Sequence, residues 1–191
     1  MAKKGIEPSW YEMIMSKRLP EAENLMAGWE AVKKASGRDY VDYDTPIVGS
    51  NLSLISYHVP PSSSSSSSSG AKELPPSVTF ALTVTPELAN RGGNMHGGAI
   101  ATIFDIITSF ALATVAKPGI FQLSGVSRTL YVTYLAAAPV GEKVEVVGEV
   151  VSFGKRLCSL RGVMRKKSDG TVIATADHGK VNIDPPPDSK L

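Results

Sequence analysis

The sequence predicts an α+β fold in which a curled antiparallel sheet wraps around one long central helix. Two observations lead there. Residues 96–115, H-G-G-A-I-A-T-I-F-D-I-I-T-S-F-A-L-A-T-V, are long enough for a helix of about five turns, with apolar residues in nearly every direction around it. Strand-like segments flank this helix in the order β-β-α-β-β-β-β, and an ordinary sheet would cover only one side of it, so the sheet must curl.

The elements follow in order. Trp10 to Ala35 has helical spacing, with Pro20 separating two short helices and Gly37 ending the second. Residues 1–45 are therefore read as an N-terminal helical extension with its connector, whose Asp39, Asp42 and Asp44 suit a solvated link rather than a metal site. Leu52 to Val59 reads as the first strand. Pro60, Pro61 and the eight serines Ser62 to Ser69 follow, and so uniform a run can bury nothing, which makes 60–74 a flexible insertion between two strands. Val78 to Thr85 alternates as the second strand. Beyond the helix, Ser127 to Leu135, Glu142 to Phe153 and Arg156 to Arg165 read as strands. Ser168-Asp169-Gly170 signals a hairpin, and Thr171 to Asn182 closes the sheet. The main domain is thus expected over 46–184, with 185–191 as a tail.

Composition bounds the function. The 191 residues with 42% hydrophobic content suffice for one domain with a substantial core, and a net charge of +2 offers no nucleic-acid surface. The single cysteine, Cys158, cannot form an intrachain disulfide and sits in an alternating L-C-S-L stretch, where a packed thiol is the expectation. M-A-K-K-G-I-E-P lacks the apolar core of a signal peptide, and no stretch reaches the ~18 apolar residues of a membrane span, so a soluble, non-secreted protein is expected. The final Ser189, Lys190 and Leu191 spell the address read by the peroxisomal import receptor, and Pro185 to Pro187 hold that tail away from the last strand. The expected location is the peroxisomal matrix.

Asp105 is the feature that points to chemistry. An ionised carboxylate within an otherwise uncharged, buried helix costs several kcal/mol unless paired or hydrogen-bonded. Upstream, Gly92, Gly93, Asn94, Met95, His96, Gly97 and Gly98 put flexible backbone where the first helical turn leaves N–H groups unsatisfied, and the dipole favours an oxyanion there. The glycines alone also fit a loop that simply lets the helix pack tightly.

In order along the chain, N-x-x-x-x-x-H-G-G (Asn90 to Gly98), Asp105, and G-V-S-R-T-L-Y-V-T-Y-L-A-A-A-P-V-G-E (Gly125 to Glu142) resemble the hotdog-fold thioesterases. The resemblance is to the phenylacetate-pathway and acyl-CoA thioesterase 13 type, and covers about Val78 to Ile183. It implies an acyl-CoA thioesterase that releases free fatty acid and CoA. Asp105 would be general base or nucleophile, the Gly97 backbone N–H would polarise the thioester carbonyl, and Asn90 and Ser127 would orient thioester and water. His96 fits the motif too, as a supporting catalytic residue or a hydrogen-bonder holding the loop. Gly98, the second glycine of the motif, is a candidate substrate-binding residue.

Lys155 and Arg156 of the F-G-K-R hairpin are candidates for CoA phosphates, although hairpin cations also serve solubility. Arg128 departs from the family pattern and would face ligand or interface. The histidines His58, His96 and His178 share no metal-ligand spacing, so neither metal nor separate cofactor is expected.

Within one helix Gly97 and Asp105 stand ~12 Å apart, too far to serve one carbonyl. Antiparallel helices across a homodimer solve this, and the resemblance suggests a dimer of dimers, a homotetramer. Two other functions fit the fold: a hydratase or dehydratase on acyl thioesters using a histidine such as His96, and a non-catalytic acyl-CoA-binding protein, which would have no need for Asp105.

Overall fold

Alternation decides the strands. β1 (Ser53–His58) and β2 (Ser77–Thr83) come first, and β2 buries Val78, Phe80 and Leu82 on one face while the residues between them stay half-exposed. The structure, a computed structural model, describes residues 52–59 and 74–185. The N-terminal helices expected before residue 45, the serine run and Ser189 to Leu191 lie outside the described residues.

A 3₁₀ turn (Pro86–Leu88) and a loop lead from β2 to helix α1 (Gly97–Leu112). β3 (Val126–Tyr134), β4 (Lys143–Phe153), β5 (Leu157–Lys166) and β6 (Val172–Val181) complete the described elements. Their order along the chain is the expected one; the strand limits fall within two residues of the sequence reading, and the helix ends three residues sooner, at Leu112. All pairings are antiparallel, in the spatial order β1-β2-β4-β5-β6-β3. At the β5–β6 turn, Gly170 takes φ 76° and the Asp169 carboxylate accepts from the Thr171 N–H at 2.8 Å, which is the hairpin chemistry read from the sequence.

The sheet closes on α1 through its glycines. A Cβ on Gly148 of β4 would come within 2.8 Å of the Ile107 carbonyl oxygen, and one on Gly162 of β5 would collide with the Phe104 ring. Ile103, Phe104 and Ile107 are thereby fully buried against Phe80, Val146, Leu160 and Met164, and each such side chain contributes roughly 1.5–3 kcal/mol.

The sheet curls around the helix as expected, and its cover is thin along one side: Gly97, Ala101, Asp105 and Ser109, four residues apart along one slowly winding stripe, are only half-buried, and the Asp105 side chain is 45% exposed. These residues are small or polar, so this stripe loses little by facing water. The edge strand β3 beside it is also open, with Tyr131 75% and Tyr134 53% exposed. Its pairing with β6 skips Arg128: Ser127 pairs with Lys180 and Thr129 with Gly179. This bulge reverses the parity of the strand, so Ser127 falls on the same face as Leu130, Val132 and Tyr134.

Candidate active site

The N-terminus of α1 is built by its preceding loop. The Asn90 Oδ1 accepts from the N–H groups of Gly92 (2.9 Å) and Asn94 (3.3 Å). The backbone ties Met95 to Ala138, Val140 to Gly93 and His96 to Leu88. Asn90 therefore organises the loop with its oxygen, while its Nδ2 donates to nothing among the described residues. His96 is the N-cap, extended at φ −70° and ψ 136°, and its Nδ1 accepts from the Gly98 N–H at 2.9 Å. The cap uses up the Gly98 donor. The Gly97 N–H is left with no acceptor among the described residues, at the positive end of the helix. From β3, the Tyr134 hydroxyl donates to the Gly97 carbonyl at 2.9 Å and fixes this first turn.

Two turns further on stands Asp105. Its Oδ1 accepts from the Ser127 hydroxyl at 2.6 Å and lies 3.3 Å from His178 Nε2, while its Oδ2 has no partner among the described residues. The Ser127 Oγ in turn accepts from Lys180 Nζ at 3.3 Å, and Lys180 also donates to Ser109 Oγ at 2.8 Å. His178 Nδ1 and Thr108 Oγ1 are 2.6 Å apart, and the Thr108 hydroxyl donates to the Phe104 carbonyl at 2.7 Å. That leaves Nε2 facing the carboxylate.

Burial pushes His178 down to about 4, the Lys180 charge acts the same way, and Asp105 opposes both. Lys180 is likewise held below the ordinary lysine range by burial, against the pull of Asp105 and Cys158, and burial pushes the Cys158 thiol up. The arrangement is a carboxylate held firmly through one oxygen and open at the other, backed by a neutral imidazole and a buried ammonium.

Asp105, Ser127 and the start of α1 thus occupy one uncovered side of the molecule. Lys155 and Arg156 are exposed at the β4–β5 turn, next to Cys158, whose partner Lys180 also pairs with Ser127; the basic pair lies at the sheet end nearest that serine. Arg128 is the exposed bulge residue, and Gly98 serves the cap. Two residues of the cluster, His178 and Lys180, escaped the sequence reading. Their signal was present: Ala174, Ala176, His178 and Lys180 are the alternate, inward positions of β6, and polar side chains at such positions call for a reason.

A six-stranded antiparallel sheet curled around one helix is the hotdog fold, and comparisons with known proteins place the chain within it. A sequence profile of the thioesterase superfamily matches residues 92–173. The human acyl-coenzyme A thioesterase 13 is 31% identical over 106 residues, which is 56% of this chain and 73% of that protein. The crystal structure of zebrafish thioesterase superfamily member 2 superposes with a TM-score of 0.65 at 25% identity, covering 83% of this chain and 97% of that one. A hypothetical thioesterase from Streptococcus pneumoniae, crystallised with coenzyme A, shares the fold at a TM-score of 0.51 and 22% identity, over 58% of this chain and 80% of that one. The chain belongs to the thioesterase superfamily and is a thioester hydrolase.

Proposed function

We propose that the thioester hydrolysed is a fatty acyl-CoA, released as free acid and CoA, and that Asp105 is the general base or nucleophile. The observation that carries this is the carboxylate itself: Oδ1 is tied to Ser127, while Oδ2, on a half-exposed helix stripe, has no partner among the described residues. The free Gly97 N–H supplies the other requirement, a donor where charge develops on the thioester oxygen. The Asn90 Nδ2 and the Ser127 hydroxyl orient carbonyl and water. The name of the human relative, an acyl-coenzyme A thioesterase, supports the substrate class. Lys155, Arg156 and Arg128 are the cations proposed for the CoA phosphates.

The site works across two subunits in this proposal. One helix separates Gly97 from Asp105 by ~12 Å, whereas two antiparallel helices bring Asp105 of one protomer to the helix start of its partner. The exposed β3 edge, with Tyr131, Tyr134 and Val126, supplies a surface for that pairing, and the resemblance extends the proposal to a dimer of dimers. Peroxisomal import through Ser189, Lys190 and Leu191 is proposed from the sequence alone.

The test is Asp105→Asn, which keeps the shape and removes the base. Thiol release from a panel of acyl-CoAs should fall by at least ~10²-fold with binding of a non-hydrolysable analogue retained. A mutant keeping more than about a tenth of wild-type kcat would refute the role of Asp105. The same panel separates the other functions: hydration of an enoyl-CoA without thiol release marks a hydratase, and saturable binding with neither marks a binding protein.

A further inference from the structure

Lys180 is an ammonium with only 4% of its residue surface exposed, in a position that packing alone does not demand. It points inward from β6. Around it stand Ser109 and Asp105 of α1, Ser127 of β3, His178 of its own strand and Cys158 of β5, its partner in the sheet. A methionine would fill much of the same volume without removing a charge from water, so the fold has a cheaper solution. An ammonium has three donors and no acceptor; here one is spent on Ser109 Oγ at 2.8 Å and one on Ser127 Oγ at 3.3 Å.

We infer that Lys180 is a positioning residue for hydrolysis: by donating to Ser127 Oγ it fixes the rotation of that hydroxyl, so that its one hydrogen is delivered to Asp105 Oδ1. The geometry runs in a single direction. The lysine can only donate, so the serine oxygen accepts, and the serine hydrogen goes to the carboxylate at 2.6 Å. With Oδ1 so engaged, Oδ2 is the oxygen left to act. Without the ammonium, the Ser127 hydroxyl regains its rotation, and the carboxylate loses both a defined partner and a nearby positive charge. Lys180 acts through Ser127 and touches no reacting atom. The inference rests on the role of Asp105 proposed above.

A double-mutant cycle on kcat tests it, using Lys180→Met, Ser127→Ala and the two combined, with Asp105→Asn as reference and a single acyl-CoA at neutral pH. Lys180→Met is expected to lower kcat by roughly tenfold or more with little change in KM. In the Ser127→Ala background the same substitution should cost less than about threefold, because the group it acts on is already gone. A lysine needed only for packing would lower thermal stability and leave the cycle multiplicative. Lys180→Gln is taken through the same cycle, so that a Met variant that fails to fold does not end the test. Unchanged kcat in a folded Lys180 variant, or an equal loss with and without the Ser127 hydroxyl, would overturn the inference. If Asp105→Asn itself stays active, the role proposed for Asp105 falls instead, and the two failures are told apart.

Discussion

The two-subunit site is open to direct test by mixing inactive proteins. One is Asp105→Asn. The other is Gly97→Pro, which removes the N–H proposed to polarise the carbonyl, and the structure indicates that this proline is tolerated. Gly97 is the first helical residue, where proline suits the helix and where its own N–H makes no internal bond. The residue before it, His96, is already extended at ψ 136°, as a residue preceding proline prefers. Loss of one such donor costs ~10²–10³ in kcat, so each homodimer is nearly silent. After subunit exchange at equal concentrations about half the dimers are mixed. Each mixed dimer has one site with both lesions and one with neither, so about a quarter of all sites are intact. Thiol release should therefore return to about a quarter of the wild-type rate, in proportion to heterodimer counted by native mass spectrometry. If sites were built within single chains, every site would keep one lesion. Confirmed heterodimers without recovered activity would refute the antiparallel arrangement.

Two further outcomes are expected. His178 is fully buried and held at about 4, below the ordinary 6.5, so the unfolded chain takes up its proton first as pH falls; stability should decline between about pH 6.5 and 4, by at most about 3 kcal/mol from this residue. Urea unfolding across that range should show a shallower pH slope in His178→Gln, and equal slopes would refute the assignment. Deleting Ser189 to Leu191 from an N-terminally tagged protein should move it from peroxisomes to cytosol with activity in extracts unchanged, and retained peroxisomal fluorescence would refute import through this tripeptide.

The strands were legible because burial on one face writes itself as alternation, and Val78, Phe80 and Leu82 spell it out. Asp105 and Gly97 were legible for a different reason, as a charge and a glycine cluster out of keeping with an apolar helix. What the sequence hid was parity and coverage. Whether Ser127 faces the helix or solvent depends on a bulge at Arg128, and no local residue signals that the ladder skips one position there. His178 and Lys180 lie seventy and more residues from the helix groups they touch, and only the β5–β6–β3 order brings them to Asp105. The half-buried stripe went unread because Gly97, Ala101 and Ser109 are small residues that raise no signal in a hydrophobic segment, although their small size is equally what a close interface requires.

That last point locates the symmetry axis of the proposed dimer. If Gly97 of one helix is to meet Asp105 of an antiparallel copy, the crossing falls midway between them, at Ala101 against Ala101 of the partner subunit. Ala101 is half-buried on the uncovered stripe, four residues from each functional position. Interaxial distances run from about 8 to 10 Å according to the side chains at the contact, and alanine permits the short end of that range. A larger residue would hold the two helices apart and widen both sites together. Ala101→Leu should therefore weaken dimerisation and lower kcat in parallel, while far-ultraviolet circular dichroism stays unchanged, since leucine is a good helix former and Ala101 is only half-buried within the chain. Sedimentation velocity and thiol release on the same samples decide it. A fully active, dimeric Ala101→Leu protein would mean that the helices do not cross here, and that Gly97 and Asp105 are brought together in some other way.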